Sequence, residues 1–152
     1  MQKIVPNLWF DGNAQEAVDF YTSVFPDGEI ISTQYYPQTA EEGLAEFQLD
    51  MAGEVLTIEF EILGTRFVAI NAGPEFHFNE SVSFAVPCKD QAEIDYYWEK
   101  LSKVPEAEQC GWCKDQYGLS WQIIPENMDE LMTRPDAYRT MMDQHKIIIS
   151  EY

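Results

Sequence analysis

Apolar residues recur at helical spacing in two stretches of the chain. Ala14, Ala17, Val18, Tyr21 and Phe25 form one such series, and Ile94, Tyr97 and Leu101 form the other. Asn13 and Asp90 stand where helix N-caps belong, and Pro26-Asp27-Gly28 marks the end of the first helix. Between these stretches the period drops to two. In Leu56-Thr57-Ile58-Glu59-Phe60-Glu61-Ile62 every second residue is apolar, which predicts a half-buried strand with Thr57, Glu59 and Glu61 on its polar face. Arg66 to Asn71 reads as its hairpin partner across Leu63-Gly64-Thr65, and Glu29 to Tyr36 as a further strand.

The two helical segments are related by an internal repeat. Gln15 falls on Gln91, Val18 on Ile94, Asp19 on Asp95, and Phe20-Tyr21 on Tyr96-Tyr97. The repeat extends upstream, where Asn7-Leu8-Trp9-Phe10 matches Ser83-Phe84-Ala85-Val86, and both read as strands. Alternation sends Leu8, Phe10, Phe84 and Val86 toward the helices and Asn7, Trp9, Ser83 and Ala85 away from them. In the second half a short strand near Glu108-Gln109 is followed by Gly111 to Lys114 and Ser120 to Ile124, with Asp115-Gln116-Tyr117-Gly118 as the turn. The expected order is βαβββ, twice. Residues 37–53 form an inserted loop with a short helix or extra strand. Met128 to Thr133 and Asp136 to Gln144 read as helices, with Pro135 at the first turn of the second, and Lys146 to Ser150 as a final short strand. The predicted fold class is α+β: a single domain of two modules (about 1–73 and 81–125) joined by a linker (74–80), with a helical extension (126–152). The two modules are expected to form a cup-shaped mixed sheet with helices outside, and the strand order reads as antiparallel.

Composition narrows the partners. Nine Lys and Arg against 27 Asp and Glu leave a net charge of −18, which repels phosphate backbones and anionic lipid, so neither nucleic acid nor a membrane is an expected partner. With 14% aromatic residues the chain has the means to build a core despite that charge. Its first residues lack the apolar stretch of a secretory leader, and a cytoplasmic location is the expectation.

Three motifs then carry a resemblance: Leu8-Trp9-Phe10-Asp11-Gly12, Gly73-Pro74-Glu75-Phe76, and the long run from Cys110-Gly111-Trp112-Cys113 through Gly118-Leu119-Ser120-Trp121-Gln122 to Pro125. Together they resemble the PhnB-like branch of the vicinal-oxygen-chelate superfamily, which includes glyoxalases, bleomycin-resistance proteins and ring-cleaving dioxygenases. The resemblance implies the paired βαβββ fold and a homodimer. Members of this branch often carry the designation demethylubiquinone methyltransferase. The residues here do not support that chemistry, because the Gly-rich turn that holds S-adenosylmethionine after a first parallel strand is missing.

Enzymes of the superfamily hold a divalent ion with His, Glu or Gln from four inward strand positions. Counted from the hairpin glycines Gly118 and Gly64, two of these fall on Gln122 and Val68; the others fall near Asn7 and Ser83. None is His or a carboxylate, and one amide with a hydroxyl does not repay the dehydration of such an ion. No metal and no cofactor are therefore expected. The leading expectation is a small organic ligand bound in the cup by Asn7, Trp9, Glu59, Ser83 and Gln122. The alternative is a lyase, isomerase or dioxygenase-like enzyme, working through a carboxylate base or through a new metal site that includes Glu59 and Gln122.

Other chemistry has plainer readings. Cys110 and Cys113 have CxxC spacing but lie at a hairpin, away from the helix N-terminus that activates redox pairs, so they read as two packing thiols. His77 in the linker is a candidate base without a partner, and His145 reads as a surface residue. Arg66, on the neighbouring hairpin arm, is placed to pair with Glu59 or Glu61. Met128, Met132, Met141 and Met142 read as packing residues of the C-terminal helices.

Overall fold

A computed structural model describes residues 2–152, and these divide into two compact units, the first ending at His77 and the second running Phe78–Tyr152. The first contains β1 (Asn7–Phe10), α1 (Ala14–Val24), β2 (Glu29–Tyr35), β3 (Val55–Ile62) and β4 (Thr65–Asn71). The second contains β5 (Ser83–Cys88), α2 (Gln91–Leu101), β6 (Trp112–Lys114), β7 (Ser120–Pro125), α3 (Met128–Leu131) and α4 (Ala137–Asp143). Among the described residues no helix is long and apolar enough to cross a membrane.

In the first unit the strands form a sheet of order β1-β4-β3-β2. β1 and β4 run parallel and the other neighbours antiparallel, so the sheet is mixed. α1 buries Ala14, Ala17, Val18, Tyr21 and Val24, the stripe that its spacing predicted. Leu8, Phe10, Ile58, Phe60, Ile62, Phe67 and Ala69 are the buried residues of the sheet. Phe60 is the centre of this core, stacked on Tyr21 at 6.2 Å and on Phe67 at 5.5 Å. The helix is capped differently from expectation. Asn13 makes no side-chain cap; instead the Ala14 amide donates to Asn71 Oδ1 on β4. Gly28 follows the helix so closely that a Cβ there would lie 2.5 Å from Thr22 Cα, a clash only glycine avoids. Asp27 in the same turn accepts from the Leu63 and Gly64 amides, fastening the two-residue β3–β4 turn, in which both residues have positive φ. The inserted loop holds two short 3₁₀ turns, Ala40–Glu42 and Glu46–Met51, rather than a strand.

The second unit repeats the plan with fewer strands, in the order β5-β7-β6, with β5 and β7 parallel. The strand expected at Glu108-Gln109 is reduced to one bridge between Gln109 and Trp112. Cys110 and Gly111 turn the chain there with φ of 41° and 88°, too tightly for a ladder to continue. Asp90 does cap α2, accepting from the Glu93 amide. The helices after β7 are shorter than the pattern suggests, and Pro135 lies ahead of α4, before an Asp136 that has positive φ.

No strand forms at Lys146 to Ser150. The Cys110 and Gly111 amides donate to the Gln144 and His145 carbonyls, and beyond that the side chain of Gln91 takes over. It donates to Ile147 O and accepts from Ile149 N, so a side-chain amide replaces the ladder. The chain ends in a 3₁₀ turn, Ile149–Glu151, instead.

Candidate functional site

The helix-free faces of the two sheets carry most of the predicted residues, and strand register arranges them in rows. In the first unit Asn7, Val68, Glu59 and Ser32 are successive partners across four strands. Trp9, Ile70, Thr57 and Gln34 form the next row. Neighbouring side chains in such a row stand about 5 Å apart at Cβ. Asn7, Trp9 and Glu59 are thus brought onto one face, as the alternation predicts.

Each is already engaged. The Asn7 side-chain amide donates to Val5 O, 2.9 Å away, which ties one of its two N–H groups to its own segment. Glu59 is held by Arg66 at 3.2 Å and lies 3.5 Å from Ser32 Oγ. Arg66 therefore pairs with Glu59 rather than with its direct partner Glu61. Trp9 donates its indole N–H to Gly73 O at 2.8 Å, and its ring meets Phe76 edge-on at 4.8 Å. With the indole proton satisfied, the ring presents apolar surface. Phe76 is 62% exposed and His77 beside it is exposed. Asn71 sits behind this face as a hub. Besides capping α1 it donates to Val55 O, and its own carbonyl accepts from the Tyr36 hydroxyl. Burial, and then the Glu75 charge, push the Tyr36 hydroxyl's pKa above its usual value. Nothing in the hydrophobic pattern marks Asn71, since it reads as the polar end of a strand.

In the second unit the rows are Ser83, Ser120, Lys114 and Ala85, Gln122, Trp112. Gln122 Nε2 donates to Ser83 Oγ at 2.8 Å, joining two predicted residues directly. Matching the halves by their hairpin glycines proves to be two residues out. Asn7 pairs with Val68, and its repeat partner Ser83 pairs with Ser120, so by register Gln122 corresponds to Ile70. The β6–β7 loop is longer than the β3–β4 turn, which accounts for the slip, and a slip of two keeps every side chain on its face. Under either alignment these positions are amide, hydroxyl or aliphatic. Among the described residues no group of three or more His, Cys, Asp or Glu is placed to hold a metal ion. The donors present do not suit a divalent cation.

The sequence pattern places Asp115 in a turn and gives it no further role. It is fully buried, and its carboxylate accepts from the amides of Tyr117 and Leu119 and from Trp121 Nε1. The Asp-x-x-Gly spacing of Asp115 and Gly118 is the one sequence sign of such a turn. A cleft of ≈ 590 Å³ opens at the start of α2, lined by residues that include Lys89, Gln91, Glu126 and Ile149. None of the predicted ligand residues lines it.

The cysteines are all free. Cys113 is buried on the α2 side of its sheet, and Cys110 lies in the turn. Burial pushes the Cys88 and Cys113 thiols up to about 12 and raises Cys110 as well, the reverse of a redox-active pair. At pH 8, iodoacetamide is expected to alkylate Cys110 alone in the native protein, and all three cysteines in denaturant. Peptide mass mapping of native protein that found Cys113 modified at a comparable rate would contradict this placement.

Comparisons with known proteins agree with the fold. Residues 2–124 match the family model described as 3-demethylubiquinone-9 3-methyltransferase. A solved Bacillus cereus structure, provisionally described as a 3-demethylubiquinone-9 3-methyltransferase, PhnB protein, is 33% identical with a TM-score of 0.63, covering 82% of this chain and 99% of its own. A Pseudomonas aeruginosa protein (18% identity, TM-score 0.60, covering 83% of this chain and 98% of its own) shares the fold. So does an Arabidopsis thaliana gene product (19% identity, TM-score 0.52, covering 82% and 98%). No curated protein matches the chain. With a family model spanning most of its length and a PhnB protein a third identical to it, the chain belongs to the PhnB-like, 3-demethylubiquinone-9 3-methyltransferase family.

Proposed function

We propose that the protein binds a small, planar organic molecule on the helix-free face of its first sheet without the help of a metal ion. The observation that carries this reading is the Trp9–Phe76 pair. Its indole N–H is satisfied by Gly73, so what remains on offer is aromatic surface at right angles, flanked by Ile70 and Thr57. Such a site needs shape, aromatic area and a few placed polar groups. Asn7 and Glu59, one row away, supply the polar margin.

The enzyme reading has less support. A carboxylate base must be free to take a proton, and Glu59 is paired with Arg66. The family's methyltransferase designation gains nothing from these residues. β1 leads into Asp11-Gly12-Asn13, with a single glycine, and its sheet is mixed.

The test is thermal unfolding in EDTA with quinoline, acridine and naphthoquinone. A ligand at a hundredfold excess over its Kd is expected to raise the midpoint by about 5–10 °C, and Trp9→Ala to remove the shift. A shift that survives Trp9→Ala, or that needs added divalent metal, would overturn the proposal.

A further inference from the structure

The second sheet carries a row of three hydrogen-bond donors on its helix-free face, and one of them, Ser120, has no hydrogen-bond partner among the described residues. Ser83 on β5, Ser120 on β7 and Lys114 on β6 are direct partners across the strands. Cys113 and Trp121 are buried against the α2 side, so the pleat sends Lys114 and Ser120 to the other face, where Gln122 already reaches Ser83. Ser120 is 1% exposed, and its Oγ has no hydrogen-bond partner among the described residues. A buried hydroxyl left in that state costs free energy, and a bound ligand or ordered water is what would relieve it.

The neighbours of Ser120 define what would satisfy it. Ser83 Oγ spends a lone pair on Gln122 Nε2 and keeps its own proton to give. Lys114 has three donors, one of which goes to the exposed carboxylate of Glu80 at 3.0 Å. The pairing holds the Glu80 carboxyl below its usual range, chiefly through the Lys114 hydrogen bond. Two hydroxyls and an ammonium in line form a donor set, and their complement is an oxyanion. A metal ion finds no charged acceptor in this row. Trp112, in the adjacent row beside Gln122, offers a ring to whatever carries the anion.

We propose that the row Ser83–Ser120–Lys114 is an oxyanion subsite, binding the carboxylate of a small aromatic acid whose ring lies against Trp112. It rests on the reading that helix-free faces of this fold receive small ligands, but on a different unit and on none of the residues around Trp9. Binding exchanges the Lys114–Glu80 contact for one to the ligand and gives Ser120 its acceptor. In a chain of net charge −18 a local donor row is what lets an anion dwell at all.

Calorimetric titration with benzoate and with benzamide, its neutral isostere, tests this. Benzoate is expected to bind at least about tenfold tighter than benzamide, the value of one charge-assisted hydrogen bond. Lys114→Met should erase that preference, and Glu80→Gln should strengthen benzoate binding by freeing the ammonium. Ser120→Ala should weaken benzoate several-fold while the unfolding midpoint stays level or rises, because an unsatisfied hydroxyl has been removed; that readout separates lost binding from lost fold. Equal binding of the two probes, no benzoate binding, or a preference that survives Lys114→Met would overturn the subsite. Each of these outcomes leaves the Trp9-dependent shift in EDTA to stand or fall by itself.

Discussion

Asp115→Ala is expected to lower stability by about 3–5 kcal/mol, among the largest effects of any polar substitution in this chain. The carboxylate is fully buried, and its donors include the amides of Tyr117 and Leu119 at Oδ1 and the Trp121 indole at Oδ2. Alanine leaves these donors without that acceptor, and hydrogen bonds to a charged group count for more than neutral ones. Asp115→Asn should cost less, since its Oδ1 still serves the two amides while the indole loses its acceptor. Urea unfolding followed by far-ultraviolet circular dichroism and by tryptophan fluorescence would read both variants. An alanine variant within about 1 kcal/mol of the parent would show that the turn closes without the carboxylate. The residue also bears on function. Its loop sets the register in which Lys114 meets Ser120, so Asp115→Ala should weaken benzoate binding without touching either residue.

Phe60→Ala is expected to cost about 3–5 kcal/mol in the first unit. The side chain has no exposure and lies stacked between Tyr21 of α1 and Phe67 of β4, with interplanar angles of 12° and 17°. Removing it takes away a large apolar surface and leaves a cavity where helix and sheet meet. Phe60→Leu fills part of that cavity and should cost distinctly less. Denaturant midpoints measured with unchanged slope would confirm a loss of stability rather than a change in the unfolded chain. A Phe60→Ala variant as stable as the parent would mean that the core collapses around the gap, contrary to the close packing described here.

Both residues come from elements that the hydrophobic pattern predicts, yet only one of them is visible in that pattern. Phe60 is the centre of a strictly alternating strand, and alternation alone assigns it to the core. The same period places Leu8 and Phe10 inward and Trp9 outward, and burial agrees. Asp115 and Asn71 are different. Their importance lies in which backbone amides they meet, and those partners are set by loop closure and strand pairing. An aspartate in a turn and an asparagine at a strand end look like ordinary punctuation until the chain is folded around them. The shorter elements depart from the sequence pattern for a related reason. A tight turn at Cys110-Gly111 leaves too few residues for a strand before β6, and the Gln91 side chain takes up the amide and carbonyl that a terminal strand would have used.

Among the predicted ligand residues, the sequence already separated the two faces of each strand, because a period of two admits only two sides. It also established the repeat and the helical stripes, both of which depend on residue identity and local geometry. Which residues stand side by side was decided by tertiary structure. The parallel pairing of β1 with β4 and of β5 with β7 joins segments far apart in the chain, and register across them depends on packing and turn length together. That pairing put Asn7 in line with Glu59, moved the counterpart of Gln122 to Ile70, and drew Ser83, Ser120 and Lys114 into one row. Local pattern tells a side chain which way to face; only the closed sheet, by fixing distances between remote segments, tells it whom it meets.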